Sequence, residues 1–141
     1  EYACRSGTQA AWYWGQHPHE ACKYANTADE SASRVKPGMN VFPCDDGYFV
    51  TAPIGSFKPN GFDLYDMIGN VWEWCRDSWS EDYHLSPEDA SAWEDIDQSG
   101  RVLRGGSWLD GPALTRCAVR NWSDADTRTN YLGFRCIREI E

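Results

Sequence analysis

The sequence lacks the motifs that identify several common classes of protein. No apolar run reaches the roughly 18 residues of a membrane-spanning helix. The first residues, EYACRSG, have neither the basic nor the apolar region of a signal peptide. No Cys-x-x-Cys pair occurs, which argues against a zinc knuckle and a thioredoxin-like redox motif. We therefore expect no membrane insertion, and the chain carries no readable address.

Positive charge is scarce. The chain has 13 Lys and Arg against 22 Asp and Glu, which gives a formal net charge of −9. Such a chain repels the phosphate backbone of a nucleic acid and the surface of an anionic membrane. We expect neither as a partner, and a cation is the natural counter-charge.

Methionine is also rare, with two residues, whereas the chain contains 8 Trp, 7 Tyr and 12 Gly. This composition is typical of a domain with many turns and aromatic anchors rather than of a helical bundle. Its 141 residues fit one domain with a compact core. We predict a loop-rich α+β fold with short strands and little regular secondary structure.

The order of glycines, prolines and apolar residues predicts how this fold is arranged along the chain. We expect a buried aromatic turn rather than a helix in residues 1–15, then a long loop with a short turn of helix from His17 to Pro43. RVLRGGSW and YLGFRCI read as strands. Residues 109–130 read as a surface loop, and the acidic interval 77–97 as a solvated connection.

The chain has six cysteines, which is many for a cytosolic protein of this size. Their number predicts an oxidising, extracytoplasmic compartment, periplasmic or secreted. Their spacing alone does not determine the pairing. They are Cys4, Cys22, Cys44, Cys75, Cys117 and Cys136.

Four blocks in this order resemble the formylglycine-generating enzyme, or sulfatase-modifying factor, family: EYACRSG with YWG, TAPIGSFKPNGFDLYDMIGNVWEW, RVLRGGSW and NYLGFRC. Together they extend over the whole chain. The resemblance implies a C-type-lectin-like fold with little regular secondary structure, which agrees with the composition. The chain begins abruptly, without a starting Met, and Cys136 resembles a cysteine whose family partner lies further upstream. We therefore expect residues 1–141 to be one domain that lacks its N-terminal portion.

The resemblance implies two structural calcium sites. Ca²⁺ binds six to eight oxygen ligands from carboxylates, amides and backbone carbonyls, and these sequence positions offer such oxygens. The alternative is that Asp46 caps an Asx turn and that Glu73 is a buried, hydrogen-bonded carboxylate. Asp29 and Asp45 are nearby carboxylates that we expect to be solvated. The first site would use Asn26 and Asp46 with the carbonyls of Thr27 and Tyr48, and the second Asp66 and Glu73 with the carbonyls of Gly69 and Val71.

The enzymes of this family oxidise a sulfatase cysteine to formylglycine with two cysteines that bind copper and activate oxygen. Cu(I) prefers soft thiolates, so hydroxyls or carboxylates cannot replace that pair. The corresponding stretch here is GGSWLDGPALTRCAVR, in which Asp110 takes the place of the first catalytic cysteine and no second candidate occurs. We therefore expect no copper and assign no catalytic residue.

The resemblance also implies a disulfide between Cys4 and Cys117, with two separate buried thiols as the alternative. If Asn26 and Asp46 share an ion, Cys22 and Cys44 lie near enough to bond as well. Cys75 is then left as a buried free thiol.

A ligand-binding groove is the remaining expectation. Trp72 and Ser107 match residues that line the family's substrate groove, whereas Tyr131 replaces an Asn of the family pattern. Trp108, Trp122 and Tyr131 lie in or beside the loop that carries variable binding residues in related retroelement-encoded proteins. Aromatic side chains there supply contact area with little entropy loss, although a Trp is equally often part of a core. We place Asp110 in the same groove.

Three functions fit these observations. The first is a calcium-stabilised domain that recognises a protein or peptide, or serves as an accessory module. The second is a sulfatase-modifying oxidoreductase whose thiols come from elsewhere. The third is a diversified ligand-binding protein of the retroelement-encoded, lectin-like type. The ligand and the oligomeric state do not follow from the sequence.

Overall fold

The computed structural model describes residues 1–84, 86–89, 91–95 and 99–138. It shows the loop-rich α+β fold that the composition predicts, with short helices and a curled mixed sheet. The helices are α1 (Tyr2–Arg5), a 3₁₀ helix (Pro18–Lys23) and α2 (Glu30–Val35). The strands are β1 (Trp72–Ser78), β2 (Gly100–Arg104), β3 (Arg120–Asp124) and β4 (Leu132–Gly133).

The strands form a sheet in the order β3-β2-β1-β4. β2 pairs antiparallel with β1 and with β3, whereas β4 runs parallel to β1. The pairing of β1 with β2 is interrupted between Trp74 and Ser78. Val102 and Leu103 of β2 are buried on opposite faces, which explains why this central strand was apparent in the sequence.

Two strand predictions need correction. Residues 109–130, which we expected to be a surface loop, contain β3, and all five of its residues pair with β2. The alternation was hidden because β3 carries polar side chains and is largely exposed at the sheet edge. YLGFRCI, expected to be a strand, contributes only β4, since Phe134 and the residues after it leave the sheet.

The N-terminal segment also differs from its prediction. The opening block forms α1, which ends at Ser6 in the left-handed conformation with φ of 45°. The aromatic turn exists as expected: the backbones of Trp12 and Gly15 bond to each other. Between His17 and Pro43 the chain forms the 3₁₀ helix and α2 rather than one short helical turn.

The main core lies between this aromatic turn and the long loop that follows. The rings of Trp12 and Trp14 stack at 5.7 Å, and Phe42 meets Trp12 edge-on at 5.4 Å. A second, smaller core under the sheet contains Trp72, Leu103 and Val119.

Two disulfides link these regions. Cys4 bonds to Cys117 across 113 residues, and Cys22 bonds to Cys44 across 22 residues. Both pairs are those that the sequence led us to expect. A cross-link that closes a loop stabilises the fold by restricting the unfolded chain, by about 2 to 5 kcal/mol. Cys75 is half-buried and Cys136 exposed, and neither is disulfide-bonded.

The acidic interval is more than a solvated connection. The amide of Ser78 donates to the carbonyl of Trp93, and the amide of Trp93 donates to the carboxylate of Asp77, so this stretch lies beside the end of β1. The guanidinium of Arg120 lies over the rings of Trp79 and Tyr83 at 4.7 and 4.4 Å. Residues 85, 90, 96 and 97 of the interval lie outside the described residues. In the part of the chain that the structure describes, no helix has the length and apolar character needed to cross a membrane.

Candidate functional site

A buried hydrogen-bond cluster joins Trp72, Ser107 and Asp110. Oδ2 of Asp110 accepts from the indole Nε1 of Trp72 at 2.8 Å and from the amide and hydroxyl of Ser107 at 3.0 and 2.6 Å. Trp72 is 3% exposed and Ser107 is 1% exposed. Three donors therefore converge on one oxygen of Asp110, which holds the turn against β1.

Two chain segments position this cluster. Trp72 is the first residue of β1, whereas Ser107 and Asp110 belong to the turn that follows β2, closed by a bond from the amide of Asp110 to the carbonyl of Ser107 at 3.0 Å. Gly106, with φ of +78°, starts this turn, and a Cβ there would lie 2.8 Å from Thr115 Cγ2. Only glycine gives the turn both the backbone angle and the close approach.

The other predicted groove residues divide into two groups. The amide of Trp108 donates to the carbonyl of Asn70, and the carbonyl of Tyr131 accepts from the amide of Trp72 at 2.8 Å, so Trp108 and Tyr131 border the cluster. Trp122 does not: it lies on β3, 48% exposed, and stacks on Trp79 at 6.4 Å. It belongs to another part of the sheet surface.

The first predicted cation site contains buried oxygens without partners. The side-chain oxygen of Asn26 and the hydroxyl of Thr27 are inaccessible to solvent and make no hydrogen bond. The side-chain nitrogen of Asn26 donates a hydrogen bond to the carbonyl of Val50 at 2.8 Å, which fixes the side chain in this orientation. A buried oxygen without a donor is costly, and a cation would remove that cost.

Asp46 connects the expected ligands of this site. Its two carboxylate oxygens accept the amides of Thr27 at 3.0 Å and of Tyr48 at 2.9 Å, the second being the Asx turn that we considered as an alternative. The lone pairs not used in these bonds remain available to a metal ion. Burial raises the pKa of Asp46 to about 6, and its amides only partly oppose that shift.

Asp29, which we expected to be solvated, is completely buried. One carboxylate oxygen accepts a hydrogen bond from the amide of Ser31 and so caps the N-terminus of α2. The other accepts from the amide of Asp46 at 2.7 Å. Oxygens of Asp29 and Asp46 lie within 4.8 Å of each other and of the Cys22 sulfur, which is oxidised in a disulfide and is no thiolate ligand. A carboxylate placed before Glu30-Ser31 is a helix N-cap signal, which the sequence analysis missed.

The second predicted site is arranged differently. A cavity of about 340 Å³ is lined by all four of its expected ligands and by Arg135. Both oxygens of Glu73 accept from Arg135, at 2.6 and 2.5 Å, and Arg135 also donates to the carbonyls of Tyr65 and Asp66. The guanidinium of Arg135 therefore compensates part of the negative charge of this site. The role of Arg135, in the YLGFRC block, was not apparent from the sequence. The four expected ligands are Asp66, Gly69, Val71 and Glu73.

Comparison with known proteins assigns this architecture. The family model described as the sulfatase-modifying factor enzyme 1-like domain matches residues 1–140. The chain belongs to this family. It is 35% identical to the formylglycine-generating enzyme of Thermomonospora curvata over 99% of its length and 34% identical to that of Mus musculus over 99%. A third relative of the family, 33% identical over 96% of the chain, is the "Inactive C-alpha-formylglycine-generating enzyme 2" of Bos taurus.

Two solved structures have a fold similar to that of this chain. PvdO from Pseudomonas aeruginosa has a TM-score of 0.78 and 33% identity over 94% of the chain. The variable protein 1 of Treponema denticola has a TM-score of 0.72 and 31% identity over 94% of the chain. The chain spans less than half of these relatives, 46% and 37% of the two enzymes and 47% and 42% of the two solved chains.

No cysteine takes part in the hydrogen bonds of the Asp110 cluster. Between Gly105 and Arg120 the only cysteine is Cys117, which is bonded to Cys4. Burial raises the pKa of the Cys75 thiol, which disfavours the thiolate, and Cys136 is exposed. Across the described ranges, the structure contains no group of three potential metal ligands that includes an unbonded cysteine.

Proposed function

We propose that this domain is a calcium-stabilised recognition module for a protein or peptide, and that it lacks the copper-oxidase centre of the formylglycine-generating enzymes. The observation that carries the proposal is the Asp110 carboxylate, which receives three hydrogen bonds at the position where the resemblance places the first copper-binding cysteine. A carboxylate in that setting is a structural hydrogen-bond acceptor.

The chemistry of the cluster does not fit copper. Cu(I) is bound by soft thiolates, and a hard carboxylate oxygen does not substitute for them. The nearest cysteine along that loop, Cys117, is oxidised in a disulfide. The Asp110 cluster therefore lacks the thiolate ligands that a copper-dependent oxidation needs.

The residues of the first cation site do fit calcium. Asn26 offers a buried amide oxygen without a partner, and Asp46 adds a carboxylate at a turn, which are two of the oxygen types that Ca²⁺ takes in irregular loops. The ion would supply charge compensation to a chain of net charge −9. At the second site Arg135 already supplies part of this compensation, so the support for calcium there is weaker.

Recognition is supported by what surrounds the cluster. Trp108 is half-buried and Leu109 is 41% exposed, so the turn presents apolar surface above a rigid, hydrogen-bonded base. Rigid aromatic groups on such a base make contacts at low entropic cost. The two disulfides are stable in an oxidising environment, and we place the module in the periplasm or outside the cell.

The proposal is tested by selecting ligands from a random displayed-peptide library on the calcium-loaded chain. Selected peptides should lose most of their affinity for Trp108→Ala and keep it for Trp122→Ala, the matched control on β3. Equal loss in both variants, or no enriched peptide, would contradict a binding groove at the Asp110 cluster.

A second candidate, the sulfatase-modifying oxidoreductase, is favoured by the names of the curated relatives. It is distinguished by incubating the chain with Cu(I), oxygen and a peptide containing Cys-x-Pro-x-Arg, and by following the cysteine by mass spectrometry. We expect no formylglycine. Conversion by the folded chain would establish the oxidoreductase and overturn the recognition module.

A further inference from the structure

A cavity on the sheet is lined by more arginines than carboxylates and shares only Phe134 with the cavity of the second predicted cation site. Its volume is about 700 Å³, and its lining residues include one glutamate and three arginines, of which Arg101 donates to the hydroxyl of Ser78, whereas the whole chain carries −9. The cationic residues are Arg76, Arg101 and Arg128. This concentration of positive charge is not explained by the Asp110 cluster or by either cation site.

The cavity exists because the parallel strand β4 is short. β4 pairs with β1 through Trp72 and Glu73 only and ends at Gly133, so β1 continues beyond its neighbour along the cavity. Ala125 and residues 127–129, between β3 and β4, also line the cavity. The result is a slot beside a strand, and an extended peptide is the kind of ligand that lies along an exposed strand.

The walls of the slot combine apolar and cationic groups. Trp74 and Leu132 are partly buried and provide an apolar floor, whereas Phe134 is 75% exposed at the rim. Arg128 is exposed and donates to the backbone carbonyls of residues 126 and 127, so its guanidinium stays at the edge of the slot. Arg76 is 79% exposed and forms an ion pair with Glu94 that an incoming carboxylate would replace at little cost.

We propose that this slot binds an extended acidic peptide that carries an aromatic side chain. The peptide's carboxylates would pair with Arg76 and Arg128, and its aromatic ring would pack on Trp74 and Phe134. The net charge of the chain does not prevent this, because charges farther away than the Debye length of about 8 Å are screened at physiological salt. A long polyanion would extend into that repelling field, which favours a short peptide over a nucleic acid.

This inference rests on the proposed function in taking the domain to be a peptide-binding module. The slot and the groove at Trp108 are neighbours, because the Trp108 indole donates to the carbonyl of Asn130 beside Thr129 of the slot. The two proposals are therefore separated by residues that belong to one of them only. Leu109→Ala, in the turn after β2, should leave the binding of an acidic probe unchanged, and a charge change at Arg128 should leave the library-selected peptides bound at the groove.

The test is fluorescence anisotropy with the full chain and a fluorescein-labelled peptide of sequence Gly-Glu-Thr-Glu-Phe-Glu-Gly. We expect Arg128→Glu and Arg76→Glu each to weaken binding about tenfold, and higher salt to weaken it further. The matched control is Arg116→Glu, because Arg116 is likewise exposed and donates to a backbone carbonyl but lies outside the slot. A probe with Lys in place of each Glu should not bind.

Equal loss of binding in Arg116→Glu, or binding of the lysine probe, would overturn the proposal. So would binding that neither slot variant affects, or no binding at all. Tighter binding of an oligothymidine of equal charge, with the same dependence on Arg128, would replace the peptide with a nucleic acid. Since both arginines are exposed, the variants should keep the melting temperature of the native chain, which verifies that they fold.

Discussion

The indole nitrogen of Trp72 donates to the carboxylate of Asp110 at 2.8 Å, across 38 residues of sequence. Through this bond the first residue of β1 fixes the turn after β2. The carbonyl of Asp110 also accepts the amide of Ala28 at 3.1 Å, so the same residue contacts the segment that contains the first cation site. Asp110 therefore connects the turn after β2, the sheet and the segment that contains the first predicted cation site.

The first prediction concerns the structural role of Asp110. Asp110→Ala should lower the free energy of unfolding by about 2 to 4 kcal/mol, because the buried donors of Trp72 and Ser107 lose their acceptor. Asp110→Asn keeps one acceptor oxygen but loses the charge, and should cost about half as much. Urea denaturation in calcium-saturated buffer measures both. The exposed Asp126→Ala is the control and should stay within about 0.5 kcal/mol of the native chain.

The second prediction concerns calcium. Saturating calcium at about 100 times its dissociation constant should stabilise the native chain by about 2.7 kcal/mol, and a chelator should remove this gain. Asp46→Asn should lose most of the calcium-dependent shift in melting temperature. Asp45→Asn, a neighbouring exposed carboxylate paired with Arg34, should keep it. An identical melting curve with calcium and with chelator would exclude calcium as a stabilising ion.

A third prediction follows from the raised pKa of Asp46 in the absence of metal. The folded-state pKa of about 6 exceeds the ordinary Asp pKa of 3.8, so between these pH values the folded state binds more protons than the unfolded state. The contribution of Asp46 to stability should therefore fall as the pH rises through this window. Denaturation in chelator, compared with Asp46→Asn, isolates the effect. If the native chain and the variant have parallel profiles, Asp46 titrates normally.

The sequence predicted the turns that glycines mark and the strand that buried apolar residues mark. Glycines and aromatic residues identified the turn at Trp12, and the buried Val102 and Leu103 identified β2. β3 was missed because an edge strand with polar residues has no apolar alternation, and only its pairing with β2 makes it a strand. Such pairing is a long-range property that the local pattern does not contain.

For the candidate site, the residues were predicted but most of their contacts were not. The family resemblance identified Asp110, Ser107 and Trp72. It did not predict that three donors converge on one oxygen, because that requires the coordinates of two separate segments. Arg135 beside Glu73 and the buried Asp29 beside Asp46 were missed for the same reason. Charged residues have similar local signatures when solvated and when paired.

The last prediction concerns Gly69, which lies between the two cation sites. A Cβ at Gly69 would come within 2.2 Å of the carbonyl oxygen of Asn26, and its φ is +80°. Gly38 has a similar φ of +88° but open space around it, so Gly38→Ala measures the backbone strain alone, about 1 to 2 kcal/mol. Gly69→Ala should cost at least about 3 kcal/mol in urea denaturation. It should also weaken the calcium-dependent shift, because Asn26 must move. Equal costs for the two variants would mean that the Asn26 segment relaxes without penalty, and then its unpaired side-chain oxygen would not be rigidly placed for a metal ion.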